Sequence, residues 1–160
     1  MNRMHLLGLL FVLLLSACAS QTAPSHPDFS GRWVIDRTNS KLEFPNLASL
    51  DNAVLVIDHH EPNFKLQRSF TIAGSDSKIS YELTTDGKET GPQDGGLGTY
   101  MRLTWEGDQL VFSARIVDRG GESTDTAHYH LVQGGSALQA EETYRGTTNN
   151  WDNFWVFNKQ

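Results

Sequence analysis

Two charged residues occupy positions that the strand patterns of this sequence reserve for apolar side chains. Arg68 shares a strand face with Leu66, and Glu142 shares a strand face with Tyr144. An isolated charge is costly to bury without a partner, and the planar guanidinium of arginine suits two oxygen atoms at once. We therefore expect Arg68 to reach into a cavity and pair with a carboxylate, either that of Glu142 or that of a ligand. The alternative is that one of the two lies near a strand end, or that a bulge reverses its direction.

Aromatic residues on the same strand faces could line such a cavity. Trp151 follows the polar run at residues 146–150, and an exposed ring there could contact a ligand or a carbohydrate. Aromatic residues also fill barrel cores, so most of the four Trp and eight Phe residues are expected to be core. The candidate ligand-binding residues are Arg68, Glu142, Tyr81, Phe112, Tyr144 and Trp151.

Metal binding and covalent catalysis find little support in the residue spacing. His128 and His130 share one strand face, but a catalytic zinc site needs a third protein ligand, which the spacing does not supply. The sequence has no G-x-S-x-G motif. The neighbouring side chains of Glu141 and Glu142 point to opposite faces of a strand. The sequence therefore predicts no catalytic residue, no metal and no cofactor, and an enzyme using Arg68 and Glu142 is the least favoured function.

Short strands must position these residues. After residue 28, alternating apolar and polar runs are separated by Gly and Asx residues, which is typical of an all-β sandwich or barrel. The predicted strands cover residues 31–36, 53–59, 64–72, 78–85, 99–105, 109–117, 123–132, 137–145 and 153–159. Sequential hairpins with one apolar face bury that face by curling into a barrel. We therefore predict one antiparallel up-and-down β-barrel of about eight to ten strands, closed by its first and last strands, with a lid or a helical turn at 38–50.

The N-terminus predicts export. Arg3 precedes the apolar run 6–15, and small residues follow it, which is the order of regions in a secretory signal. The run is about half of the ~20 residues that a transmembrane helix needs, so a retained membrane span is the poorer interpretation. Residues 18–28 are polar and contain Pro, as in a flexible tether, and residues 29–160 suit one domain.

The charge balance disfavours two kinds of partner. The chain has 19 Asp and Glu residues against 13 Lys and Arg residues, a net charge of −6. Nucleic acids and anionic lipid surfaces both bind proteins through clustered basic residues. We therefore expect no nucleic-acid partner and no electrostatic attachment of the folded domain to a membrane.

The segment Leu15-Ser16-Ala17-Cys18 resembles the lipobox of bacterial lipoproteins. The resemblance implies that residues 1–17 are a signal peptide and that Cys18, the only cysteine, carries acyl chains that anchor the protein to a membrane. In Gram-negative lipoproteins an Asp after the cysteine favours the inner membrane. Ala19 here implies the outer membrane of the cell envelope, with the domain facing the periplasm. Ala17-Cys18-Ala19 also fits an A-x-A signal peptidase site, which would release a soluble protein.

Three segments of the domain resemble bacterial lipocalin-like lipoproteins of the calycin type. They are Phe-Ser-Gly-Arg-Trp-Val-Ile-Asp at 29–36, Trp-Glu-Gly-Asp-Gln-Leu-Val-Phe at 105–112 and Trp-Val-Phe at 155–157. The resemblance implies that Trp33, the tryptophan of the Gly-x-Trp motif that begins at Gly31, packs across the closed end of the barrel beside Arg145 or Lys159. The chain lacks the Thr-Asp-Tyr motif and the long C-terminal helix of true lipocalins, which implies a smaller relative.

Barrels of this type bind small apolar molecules in their open mouth. The resemblance therefore implies an envelope lipoprotein that binds a small apolar or amphipathic molecule without catalysis. The alternative is a filled barrel that docks another envelope protein through surface loops such as 91–98 and 119–122. Fold analogy alone does not decide between a ligand and a protein partner.

Overall fold

The computed structural model describes residues 26–160. The predicted signal peptide, Cys18 and most of the predicted tether lie outside the described residues. The last residues of that tether lie against the barrel, since the ring of His26 stacks on Trp105 with 4.2 Å between centroids. Within residues 26–160, no helix has the length and apolarity that a bilayer span requires.

The described chain is built from antiparallel strands, as predicted. They are β1 (Gly31–Ile35), β2 (Lys41–Leu42), β3 (Leu50–His60), β4 (Asn63–Ile72), β5 (Ser75–Thr84), β6 (Gly98–Glu106), β7 (Gln109–Asp118), β8 (Gly121–Val132), β9 (Ala137–Arg145) and β10 (Asn150–Lys159). Two 3₁₀ helices cover Pro45–Ser49 and Gln133–Gly135. The nine predicted strands are confirmed with bounds within three residues, and the additional strand is the two-residue β2. The predicted helical turn within 38–50 is the 3₁₀ helix at Pro45–Ser49.

One sheet contains all of these strands and curls into a nearly closed barrel. The strand order is β5-β4-β3-β1-β10-β9-β8-β7-β6, and β2 adds to β10. The first and last strands pair, with Trp33 opposite Lys159, so the predicted closure by the chain's two ends is confirmed. Between β5 and β6 the described residues form no ladder, and the link after β5 instead bridges β6 through Asp86 with Thr104 and Thr90 with Met101.

The inward-facing residues become more accessible from one end of the barrel to the other. The packed end carries the β3–β4, β6–β7 and β8–β9 turns, and there Phe64, Leu83 and Leu138 are buried. The open end carries the β4–β5, β7–β8 and β9–β10 turns. On β5, Ile79 shares the inner face with Leu83, yet 44% of Ile79 is exposed. The first 3₁₀ helix covers part of the open end, where Leu50 is buried, and access remains beside β4 and β5.

Trp33 closes the packed end. Its side chain is fully buried, and its Nε1 donates to the carbonyl oxygen of Phe29 at 2.9 Å. Lys159 Nζ lies 5.0 Å from the centroid of the Trp33 ring, and Gly31 makes room because a Cβ there would lie 2.7 Å from Lys159 Cε. The basic partner is therefore Lys159. The assignment of Arg145 to this role is wrong, because β9 carries Arg145 to the open end.

Candidate ligand-binding site inside the barrel

Arg68 and Glu142 face each other across the barrel interior. Arg68 Nη2 lies 3.6 Å from Glu142 Oε1, and only 14% and 10% of the two side chains are exposed. Their strands, β4 and β9, are four positions apart in the sheet order, so the pair joins opposite walls. Neither residue lies at a strand end, and the single register shift of β4 against β3 lies elsewhere, between Leu50 and Asn52. The hypothesis of strand-end positions or reversed facing therefore does not hold.

Strand β10 fixes the position of the Glu142 carboxylate. Glu142 Oε2 accepts hydrogen bonds from Asn153 Nδ2 at 2.7 Å and from Trp155 Nε1 at 2.8 Å. Asn153 stands directly opposite Glu142 in the β9–β10 ladder. Charge-assisted hydrogen bonds of this kind are stronger than neutral ones, so they hold the carboxylate in one orientation. These two donors were not predicted from the sequence, although both alternate with Phe157 on one face of β10.

Aromatic rings flank the guanidinium of Arg68. Its Cζ lies 5.1 Å from the ring centroid of Phe70 and 5.9 Å from that of Trp155. These distances fall in the range of cation–π contacts. The rings of Phe70 and Trp155 also tilt against each other with 6.1 Å between centroids. The guanidinium is therefore positioned between an acidic partner and two π faces.

Asp125 adds a second, partly buried carboxyl, which was not among the residues predicted from the sequence. It lies on β8, on the same inward face as Ala127 and Tyr129. The pKa of Asp125 is raised to about 7, chiefly by burial and also by the nearby charge of Glu142, while the charge of Arg68 partly offsets this rise. The signal was present in the sequence, because assigning His128 and His130 to the outer face of β8 leaves Asp125 on the inner face.

Two tyrosines border the charged residues. Burial raises the pKa of Tyr129 to about 12, and burial also raises the pKa of Tyr81. Both phenols therefore stay neutral at ordinary pH and keep a proton to donate. The ring of Tyr81 lies 5.7 Å from that of Phe112, which brings two predicted ligand-binding residues together on the inner wall.

Two buried polar atoms of this cluster have no hydrogen-bond partner among residues 26–160. They are Arg68 Nε, a donor, and Asp125 Oδ1. Most buried polar atoms in native proteins are hydrogen-bonded, so an unpaired donor and an unpaired oxygen near one ion pair are unusual. The interior cluster (Arg68, Asp125, Tyr129 and Glu142) therefore retains hydrogen-bonding capacity that the protein itself does not use.

Trp151 lies at the open end, and the expectation of an exposed loop tryptophan is wrong. The residue belongs to β10 and is partly buried. Its ring stacks on Tyr144 with 3.8 Å between centroids and an interplanar angle of 6°, and Phe44 covers it at 4.4 Å. Arg145 lies nearby and pairs with Asp152 at 2.7 Å. The predicted residues Tyr144 and Trp151 thus come together at the open end rather than beside Arg68.

The histidine pair on β8 lies outside this site. His128 and His130 face away from the core residues Ala127 and Tyr129, and the ring nitrogen Nε2 of His130 lies 3.0 Å from Gln139 Oε1. In the described part of the chain, three or more His, Cys, Asp or Glu side chains do not cluster in a way that could hold a metal ion.

Comparison with known proteins relates the chain by fold. No protein-family model matches the sequence, and no curated protein matches it. Secretory abundant heat soluble protein 4 from Ramazzottius varieornatus is 17% identical, with a TM-score of 0.59 over 82% of this chain and 94% of that one. The zebrafish ileal bile acid-binding protein, complexed with cholic acid, is 15% identical, with a TM-score of 0.51 over 82% and 98%.

A third solved structure is the Schistosoma mansoni fatty acid binding protein in complex with arachidonic acid. It is 10% identical, with a TM-score of 0.52 over 82% of this chain and 96% of that one. Structural similarity at identities this low shows a shared architecture, but it does not show a shared activity. The chain therefore shares the fold of these solved structures, a lipocalin-like antiparallel β-barrel.

Proposed function

We propose that this protein binds a small apolar or amphipathic molecule inside its barrel, without catalysis. The observation that carries the proposal is the interior itself, which is apolar and packed at one end and still accessible at the other. Ile79 is 44% exposed on an inner face, and Phe70 and Ile72 are only partly buried. Ligand sites are mostly apolar, with a few polar groups that set orientation. The interior cluster supplies such groups at the boundary between the packed and accessible regions.

The likeness to binding proteins supports this proposal by analogy. The zebrafish and Schistosoma proteins hold cholic acid and arachidonic acid, which are both amphipathic molecules. The present chain shares their architecture at low identity, so the analogy extends to a kind of ligand and not to a particular compound.

The proposed location is the bacterial cell envelope. In this proposal, Cys18 carries acyl chains that anchor the protein to the outer membrane, with the barrel in the periplasm. Stable anchoring takes more than one acyl chain, because a single chain binds a bilayer only marginally. The sequence motif at residues 15–18 supports this location.

A fluorescence assay tests ligand binding. The full-length chain with Cys18→Ser cannot be acylated and keeps an A-x-A site, so we expect it to be exported as a soluble protein. The neutral apolar dye N-phenyl-1-naphthylamine should gain fluorescence on entering the barrel. Ala114 lies on the inner face of β7, and Ala114→Trp should fill the lumen and abolish the gain.

The matched control is Ser113→Trp, which adds the same bulk to the outer face of the same strand. It should leave dye binding unchanged. Circular dichroism must show the same β-sheet spectrum for both variants. Absence of dye binding to the parent protein, or equal binding by both tryptophan variants, would refute binding inside the barrel.

A second candidate function is docking of another envelope protein. The link 91–98 presents Leu97 with 57% of its surface exposed. A lone exposed leucine is common on protein surfaces, so this observation weighs less than the accessible interior. If the dye does not bind, the docking function becomes the better proposal, and Leu97→Ser is the variant to compare in a pull-down from envelope extracts.

A further inference from the structure

We propose that the barrel selects amphiphiles with an uncharged hydroxyl head group over those with a carboxylate, and that Arg68 and Asp125 recognise the hydroxyl. This inference rests on the proposed function, because it assumes that an amphiphile enters the barrel. It adds the chemical class of the head group and the residues that distinguish it.

The charge balance of the interior cluster disfavours a carboxylate. The cluster has one cation, Arg68, and that cation is already paired with Glu142 at 3.6 Å. Asp125 is a second acid in the same partly enclosed space, and it interacts with both of these charges. A ligand carboxylate would add a third acidic group around one guanidinium, and like charges disfavour ionisation at short range.

The two unpaired atoms favour a hydroxyl. The Arg68 Nε–H can donate a hydrogen bond, and Asp125 Oδ1 can accept one when it is ionised. A hydroxyl group carries an acceptor oxygen and a donor proton, so it offers both kinds of hydrogen bond that these two atoms lack. A carboxylate can only accept, which leaves an ionised Asp125 facing a like charge.

The walls around the cluster set the orientation of the ligand. Below Arg68, toward the packed end, Leu66 and Phe64 are buried and leave the head group no deeper position. Above it, Phe70 and Ile72 continue the inner face of β4 toward the open end and are partly accessible. The head group would therefore lie at the cluster, with the apolar tail directed toward the open end.

Protonation of Asp125 should weaken the selection. The groups that face it are Arg68 on β4, Glu142 on β9, Tyr129 on β8 and Tyr81 on β5. The two phenols stay neutral at this pH, whereas Asp125 changes charge near neutral pH. A protonated Asp125 no longer repels a carboxylate and can donate to it. Carboxylate binding should improve from pH 8 to pH 6, while alcohol binding changes little.

Competition between two ligands of equal chain length tests the selection. The Cys18→Ser protein is loaded with N-phenyl-1-naphthylamine at pH 8, and 1-decanol and decanoate are compared as displacing agents. We expect 1-decanol to displace the dye at a concentration about 10-fold lower, the effect of one pKa unit of interaction. Glu142→Gln frees the guanidinium, so it should improve displacement by decanoate about 10-fold. The control Glu141→Gln, on the exposed face of β9, should change neither ligand.

The outcomes separate the two proposals. If both compounds displace the dye equally at pH 8, or decanoate is the better one, the selection is refuted and ligand binding stands. An unchanged preference in Glu142→Gln also refutes the selection. If the dye itself does not bind, the proposed function fails and the selection fails with it. If Glu142→Gln does not fold, Asp125→Asn takes its place, and it must bind decanoate at pH 8 as well as the parent protein does at pH 6.

Discussion

Replacing Asp125 with Asn should change how the stability of the barrel depends on pH. Burial, together with the nearby charge of Glu142, raises the pKa of Asp125 from 3.8 to about 7 in the folded protein. For an acid with a raised pKa, the unfolded chain releases the proton more readily than the folded one. The stability from this group is therefore fully present below about pH 4 and is lost as pH rises through about 7.

The size of the effect follows from the shift. A change of roughly three pKa units corresponds to about 4 kcal/mol in the free energy of unfolding, at 1.36 kcal/mol for each unit. About 3 kcal/mol of this falls between pH 5 and pH 9, because the unfolded carboxyl is already mostly ionised at pH 5. Partial exposure of Asp125 makes these figures upper values. Asn carries no charge at any pH, so the free energy of unfolding of Asp125→Asn should not show this decrease as the pH rises.

The interval from pH 5 to pH 9 lies above the pH at which acids with lowered pKa values, such as Asp28 and Asp36, lose their contribution to stability. The pKa of Asp28 is lowered by hydrogen bonds from Ser30, and that of Asp36 by hydrogen bonds from Asn39. An acid with a lowered pKa contributes stability above its unfolded pKa and loses it only as pH falls through its folded value. The losses from Asp28 and Asp36 therefore occur below about pH 4, outside the interval from pH 5 to pH 9 in which Asp125 changes charge.

Urea denaturation followed by tryptophan fluorescence measures the free energy of unfolding at pH 5, 7 and 9. The parent protein should lose up to about 3 kcal/mol relative to Asp125→Asn across this range. Asp108→Asn, an exposed substitution in the β6–β7 turn, is the matched control and should follow the parent protein. Parallel curves for the parent protein and Asp125→Asn would show that Asp125 is not held in a buried, acid-rich environment, and the reasoning about the interior cluster would fail.

Three further substitutions test other parts of the structure. Trp155→Phe removes one hydrogen bond to Glu142, and it should lower the free energy of unfolding by about 1–3 kcal/mol in urea. Gly31→Ala places a Cβ against Lys159 at a φ of +142°, and it should cost about 1–3 kcal/mol by the same measurement. Cys18→Ala should move the protein from the membrane fraction to the soluble fraction of cells, and continued membrane association would contradict lipid anchoring.

Much of this fold is readable from local patterns in the sequence. Strand positions follow from apolar residues that recur every second position, because successive side chains of a strand point to opposite faces. The same rule places Arg68 and Glu142 on inner faces. The turns follow from Gly and Asx residues. Pairing of the terminal strands was expected because an open meander would leave its apolar face exposed to solvent.

The sequence alone determined which strand faces turn inward and which charged residues interrupt those apolar faces. Only the tertiary structure decided which of those residues meet. Arg68 and Glu142 are far apart in sequence, and they pair because barrel closure brings β4 and β9 to opposite walls of one narrow interior. Closure also selected Lys159 over Arg145 beside Trp33. Periodicity fixes the direction of each side chain within its own strand, but partners across the interior depend on the order and register of all the strands together.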